Sequence, residues 1–575
     1  MEKKIENILN RVKEQESLFS YLFLVLVFFI TWAFHYKVMG PFMIDLGREY
    51  LVPKSMNEGL LLYKDLACIY APLGFQFNAL MFKIFGTSLD TLWNCGICSA
   101  LIYLFVLYNI SKMFLSNKFS LVFCSFCIIV FMINSSLFNF IYPYSFSFTY
   151  GLTCSSISAF LILKYIRENN IKFLYLASIF TSLAIDFKAE FAMIALVIYL
   201  ALIINKNFKI KHYIALGFCF LIFPLISFAI LYHQGLHLPE IKASYTYISA
   251  ILSSKAYIQY QTSTGMIFDL YKFKNGLLYL ISTIVLFISC YFIYNYNFEN
   301  KKLLACKLLF FTIALTFGYK MILQYPKPLT LFLFALSCIS IKFLWSRKDL
   351  LFLIILTTGL MTRNLFLSNS YCSYGVFYAP FILLATCCLI ILYFDKKLAI
   401  KNIEKFIIIM LSIFTLVHAV KMSIITNKTL NRLNVVPVIE TPYAKIRNLN
   451  DTGILIQNMA DYIIKNTPED AKIVYIPEGE MMNVLTNRKP DMMLYSLHQM
   501  FIEGFGEAYI ENRILNAGVD YIVYSNISDA FSNQNISQYE WLMDFLDKKA
   551  TPVYKINFVY NYFNNNTMTL YKINR

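Results

Sequence analysis

The sequence predicts a polytopic α-helical membrane protein with a C-terminal soluble α/β domain, and three observations carry that reading. Of the 575 residues, 58% are hydrophobic and only 15% are charged, and the mean hydropathy is +0.57. Those values lie outside the range of soluble globular proteins. Apolar runs of about 17 to 25 residues, enough to cross roughly 30 Å of hydrocarbon, recur from Leu18 to about Lys421 and then stop. Beyond them the pattern changes to short β-branched runs that follow amphipathic helical ones.

Residues 1–17 (MEKKIENILNRVKEQES) form a charged helical lead whose basic residues place it in the cytoplasm. The membrane domain follows over 18–424. Its spans are expected at about 18–37, 90–111, 119–136, 146–166, 172–185, 191–205, 213–232, 276–295, 303–323, 329–345, 350–367, 375–394 and 404–424, thirteen in all. With that count every basic connector falls on the cytoplasmic face: SKMFLSNK, KYIRENNIK, NKNFKIKH, NFENKK, SRKD and DKKLAIKNIEK. A slip of one span would put DKKLAIKNIEK outside. Topology thus accounts for the formal charge of +16, and no nucleic-acid partner is expected. The first span is read as retained, because mostly polar residues precede it and no small-residue cleavage site follows.

Two polar stretches face outward, a first outer loop at 38–89 and a second at 233–275. Within the first, 70–85 is apolar but short, interrupted by Pro72 and Gly74 and bounded by Gly86. It suits a helix lying at the interface better than a full crossing. The C-terminal α/β domain is expected over 425–575, on the outer side. KIVYIPEG (472–479) and VDYIVYSN (519–526) read as strands, helical patterns precede them at about 452–465 and 503–516, and 552–573 reads as a closing hairpin with an Asn-rich turn. All thirteen cysteines precede Ile390. Those in spans act as small hydrophobes, which leaves Cys68 and Cys372 as a pair able to meet on an oxidising side.

Chemistry concentrates in the first outer loop. Asp45, Arg48 and Glu49 fall at i, i+3 and i+4, so on a helix they would share one face. Glu58 and Asp65 follow. A solvated acidic loop is the plainer reading, yet these acids are interleaved with Phe42, Leu46 and Leu51, which need burial. A second cluster, Asp186, Lys188 and Glu190 in DFKAE, sits in a short connector between two apolar runs. Its plainer reading is a turn with one internal ion pair. Lys320 and Arg363 stand at the outer ends of spans, where they either snorkel or hold an anion such as a lipid phosphate. His233 and His237 have a metal-compatible spacing, but Gly235 lies between them and no acid follows at a familiar distance. No nucleotide loop, nucleophile elbow or zinc-protease helix is present.

The stretch D-x-G-R-E from Asp45, Pro53, EGLLLYKD from Glu58, YAPLGFQFNALMFKIFG from Tyr70 and DFKAE resemble the bacterial GT-C superfamily of membrane glycosyltransferases, in the group of the protein mannosyltransferases and aminoarabinose transferases. IPEGEMMNVLTNRKPDMMLY (476–495) is similar to a segment of their C-terminal domains. The resemblance implies a GT-C-like fold in the bacterial inner membrane. It also implies hexosyl or pentosyl transfer, commonly inverting, from a polyprenyl-phosphate carrier to an acceptor hydroxyl on the outer face. Glycolipid, lipopolysaccharide and protein are all open as acceptors. In that group the acid of the first outer loop is the base, which places the role on Asp45, with Glu49, Asp65, Asp186 and Glu190 as supporting acids. Ala71 stands where the group more often has Gly.

The residues fit this chemistry on their own terms. A carboxylate accepts the proton of an attacking hydroxyl, and cations hold the departing phosphate, for which Arg48, Lys188, Lys320 and Arg363 are the candidates. Glu58, Tyr63, Tyr70, Gln76 and Asn78 are available to the sugar or the acceptor. A monophosphate leaving group does not require a metal, so no cofactor and no metal ligand is expected, with a divalent ion left open. The alternative from a different class, a transporter or flippase of a lipid-linked saccharide, calls for charges near the bilayer midplane and matched halves. A receptor or scaffold with an outer domain is the third reading.

Overall fold

Backbone polar groups inside hydrocarbon must be bonded within the chain, and the apolar runs accordingly become helices. The structure, a computed structural model, describes residues 2–39, 43, 45–204, 209–264, 267–268, 270–295, 327–361, 374–397, 402–432, 438–448, 453–525, 540–561 and 564–575. Among them seven helices are long and apolar enough to cross a membrane: Glu16–Phe34, Leu89–Phe114, Phe146–Glu168, Ile210–His233, Phe273–Asn295, Gly375–Phe394 and Ile403–Ser423.

The chain opens with α1 (Glu2–Phe34), which merges the charged lead and the first span into one helix. After β1 (Val38–Met39) come α2 (Arg48–Asn57), α3 (Leu73–Phe85), α4 (Leu89–Phe114) and α5 (Asn117–Cys127). Next are α6 (Phe146–Glu168), α7 (Lys172–Phe187) and α8 (Met193–Ile204), then α9 (Ile210–His233), α10 (Leu238–Ser253), α11 (Lys255–Thr264) and α12 (Leu270–Asn295). The helical run Gly375–Phe394 and α6 form the middle of the bundle, largely buried, whereas most of the apolar side chains of α9 are exposed.

Thirteen full-length spans are not found among the described residues. The run expected at 119–136 ends as α5 plus a widened turn at Ile128–Met132. The runs at 172–185 and 191–205 give α7 and α8, of 16 and 12 residues. The run at 329–345 breaks at Ser340 into Lys327–Ile339 and Ile341–Ser346, and 350–367 gives Lys348–Leu360. The run at 303–323 lies outside the described residues. One cause of the early stops is local competition for the backbone. After Met132 the side chain of Asn134 donates to Phe131 O at 3.1 Å, and that of Asn139 accepts from Ile141 N and Tyr142 N at 2.8 and 2.7 Å. The chain between 133 and 145 therefore folds into a buried irregular segment that carries Tyr142 and Tyr144 inward.

The second polar stretch, 233–275, contains α10 and α11. Ser244 Oγ donates to Tyr63 O at 2.8 Å on one side, and the Ala256 N–H donates to Glu503 at 3.0 Å on the other. These two helices join the loop between α2 and α3 to the C-terminal region.

That region carries two sheets. In the smaller, β2 (Val438–Glu440) pairs antiparallel with β3 (Lys445–Asn448), and β3 pairs in parallel with β1, Val38 opposite Arg447. The end of α1 is thus stitched to a segment some four hundred positions away in the chain. The larger sheet has the order β4-β5-β7-β6, from β4 (Ile473–Ile476), β5 (Tyr521–Ser525), β6 (Ala550–Asn561) and β7 (Asn564–Ile573). β4 and β5 are parallel, while β6 and β7 form the closing hairpin. Helices Gly453–Asn466, Glu507–Asn516 and Glu540–Lys549 accompany it, and Ile510, Ile514, Leu542 and Leu546 seal its core.

Candidate active site

Asp45 stands just before α2 and not on it. Its φ of +57° is left-handed backbone, which Asp tolerates better than most residues. The helix face expected for Asp45, Arg48 and Glu49 is therefore replaced by a turn, in which the Glu49 N–H reaches back to Asp45 O at 3.4 Å. The turn still places the Asp45 carboxylate on the Arg48 guanidinium, whose Nη1 donates to Asp45 Oδ1.

Arg48 is 5% exposed and all its donors are engaged. Nε and Nη2 donate to Glu49 Oε1 at 3.3 and 3.1 Å, Nη1 also to the Tyr70 hydroxyl at 3.2 Å, and Nη2 also to Tyr144 O at 2.8 Å. The guanidinium lies 4.7 Å from the centre of the Tyr70 ring, a stacking arrangement that suits a planar cation. Burial works against its charge, but Tyr70, Asp45 and Glu49 outweigh it and hold the group charged. An arginine has five N–H groups, and these five contacts leave none for a phosphate. The structure thus places Arg48, expected from the sequence to bind the donor phosphate, in contact with Asp45, Glu49, Tyr70 and Tyr144. Glu49, 1% exposed, uses its other oxygen to accept from the Phe146 N–H at 3.0 Å, satisfying a free donor at the start of α6.

Lys188 and Glu190 lie on the far side of Tyr144. Lys188 Nζ donates to the Tyr144 hydroxyl at 2.7 Å, is 3.8 Å from Glu190 Oε2, and lies 4.8 Å and 5.6 Å from the ring centres of Phe148 and Tyr374. The Tyr378 hydroxyl donates to Glu190 Oε1 at 3.1 Å, and the hydroxyls of Tyr374 and Tyr260 meet in a hydrogen bond. The two cations sit at one end of the bundle, where α2, the end of α7, the start of Gly375–Ile390 and α11 converge.

The C-terminal region closes over this end. The Ala67 N–H donates to Met492 O at 3.1 Å, and Lys489 pairs with Glu58 at 3.0 Å. Gly47 lies against this region: a Cβ there would lie 2.2 Å from Met481 N and 2.3 Å from the carbonyl carbon of Glu480, so only glycine allows this approach. Glu480 is buried, and burial pushes its carboxyl up to about 7, with the Asp45 charge adding to the rise and Arg48 opposing it. Burial lowers His498 below its usual 6.5, against the pull of Asp45 and Glu503.

The remaining candidates are placed elsewhere. Tyr63 donates from its hydroxyl to Tyr70 O at 2.6 Å and holds a left-handed φ of +72°. Asp186 is buried and accepts from the Ser227 hydroxyl, while Gln76 Nε2 donates to Ser227 O at 3.4 Å, forming a polar knot between α7, α9 and α3. Asp65 locks its own turn by accepting from the Leu61 N–H at 2.9 Å. Asn78 is fully buried and accepts from the Tyr150 hydroxyl at 2.9 Å, away from any open surface. Glu58 is at the half-exposed rim. Lys320, Arg363 and Cys372 lie outside the described residues. His237 packs edge-on against Tyr232, and among the described residues no group of His, Cys, Asp and Glu side chains is placed to hold a metal ion.

Tyr144, Tyr374 and Tyr378 were invisible to motif spacing, and Glu480 was not singled out as a site residue. Only IPEGE, which contains Glu480, carried any signal. No family model and no curated protein matches this sequence. Solved structures do match it in overall course. ArnT from Cupriavidus metallidurans, bound to undecaprenyl phosphate, is 10% identical with a TM-score of 0.47 over 96% of this chain and 97% of that one. Archaeal oligosaccharyltransferase AglB from Archaeoglobus fulgidus, in complex with an inhibitory peptide and a dolichol-phosphate, is 10% identical with a TM-score of 0.45 over 88% of this chain and 69% of that one.

Proposed function

We propose that this chain is an integral-membrane glycosyltransferase that moves a sugar from a polyprenyl-phosphate carrier to an acceptor hydroxyl on the outer face of the bacterial inner membrane. The setting of Asp45 carries this reading. Its carboxylate is 29% exposed, sits in left-handed backbone of the kind found at functional sites, and is oriented by the buried Arg48 guanidinium. As the acceptor oxygen attacks the anomeric carbon opposite the phosphate, Asp45 takes the hydroxyl proton. The bond from that carbon to the phosphate oxygen breaks, its electron pair stays on the phosphate, and inversion results. Lys188, held by Tyr144, supplies a positive charge toward the leaving group, and Lys320 and Arg363 are further candidates from sequence. The C-terminal region lies outside with the site, and the N-terminus is cytoplasmic.

The test follows radioactive sugar in membranes that contain the full chain and the producing cell's own lipid-linked donors. Label should enter a new product with the wild type and fall by roughly 10² to 10⁴ with Asp45→Asn. Wild-type transfer by Asp45→Asn would overturn the assignment of the base. Label that crosses the bilayer without entering a product would favour a flippase.

A further inference from the structure

The C-terminal region brings to Asp45 a carboxyl that the reaction above does not use. Glu480 is 1% exposed and opens the short helix Glu480–Thr486. It is pressed onto the first outer loop at Gly47, where an added Cβ would stand 2.7 Å from its own Cβ. Its Oε2 accepts from the Gly479 N–H at 3.1 Å. The groups that face it are Asp45 and Arg48 from the loop and Tyr495 from its own region.

Three carboxyls, on Asp45, Glu49 and Glu480, therefore share the surroundings of one guanidinium. Arg48 is bonded to the first two, and among the described residues Glu480 makes no ion pair of its own. A third anion in this buried space would lack a counter-charge, which is strongly disfavoured. A buried carboxyl beside another carboxylate resolves the conflict by keeping its proton.

We propose that Glu480 is a positioning residue for Asp45, present in the working state as the uncharged acid, a role that rests on Asp45 acting as the base. Neutral Glu480 leaves Arg48 committed to Asp45 and Glu49. Ionised Glu480 competes for the guanidinium and draws Asp45 out of line with the acceptor. The C-terminal region thereby completes the site instead of merely covering it.

Infrared difference spectra of the full chain in detergent, taken between about pH 5 and 9, test the protonation without any substrate. The wild type should show an un-ionised carboxyl band that Glu480→Gln lacks and that disappears as pH rises through about 7. With Asp45→Asn the disappearance should shift to lower pH, because the like charge is gone. Spectra identical in wild type and Glu480→Gln, or a midpoint unmoved by Asp45→Asn, would overturn the pairing. Transfer then tests positioning. Glu480→Gln, a permanently neutral stand-in, should keep transfer and lose the wild type's decline on the alkaline side, while Glu480→Ala should fall by about 100-fold, the scale of a misplaced catalytic group. Full transfer by Glu480→Ala together with loss in Asp45→Asn would overturn the Glu480 role alone. Full transfer by Asp45→Asn would overturn the base assignment first.

Discussion

Arg48 and Lys188 are bridged by one residue, Tyr144, whose carbonyl accepts from Arg48 Nη2 at 2.8 Å and whose hydroxyl accepts from Lys188 Nζ at 2.7 Å. The cation that orients Asp45 and the cation proposed to face the leaving phosphate thus hold their separation through a single side chain and its backbone. Tyr144→Phe cuts only the second link. It should raise the donor concentration needed for half-maximal transfer by the equivalent of about 1 kcal/mol, with the thermal unfolding midpoint of the full chain close to wild type.

Arg48 answers differently. Removing it leaves buried Glu49 without a counter-charge, its one remaining bond being to the Phe146 N–H, and takes the ion pair from half-exposed Asp45. Arg48→Met should cost about 3 to 5 kcal/mol of stability, read as a lower midpoint in thermal unfolding of the detergent-solubilised chain. Arg48→Lys should rescue little of it, because a lysine offers three donors from a point where five are used.

Gly47→Ala forces a Cβ to within 2.2 Å of Met481 N. Backbone atoms on the opposing segment have little room to yield. The expected result is a loss of about 1 to 3 kcal/mol and faster protease cleavage between the helix Ile403–Arg432 and the C-terminal region, while a substitution at half-exposed Glu58 leaves both within about 1 kcal/mol of wild type.

His498 sets an acid limit. Its folded value is lowered by burial, so the folded state holds fewer protons than the unfolded one between that value and 6.5. Its contribution to stability is complete above 6.5 and is lost as pH falls through the folded value. Unfolding midpoints measured from neutral to mildly acid pH should fall for the wild type and fall less for His498→Asn.

Some of this was legible in the residue pattern. The strands around 473–476 and 521–525, the closing hairpin and the short helix after Pro72 follow from alternation, turn residues and a broken apolar run. Hydropathy located apolar helices but not their ends. It has no term for Asn134 and Asn139 capturing backbone groups after Met132, nor for the break at Ser340. The spacing of Asp45, Arg48 and Glu49 announced a cluster, of which Arg48 and Glu49 do open α2 while Asp45 precedes it, because spacing does not report that Asp45 turns left-handed.

By itself the sequence determined that this chain forms apolar helices with a differently patterned C-terminal stretch, and that acids gather in the loop after the first helix. Both are local properties, set by side-chain polarity against hydrocarbon and by neighbours a few residues apart. Only the tertiary structure decided what those acids face. Arg48 meets Tyr144 across 96 positions, and Gly47 meets Glu480 across more than four hundred. Contacts of that range depend on how helices and sheets pack, and no periodicity within one segment encodes them.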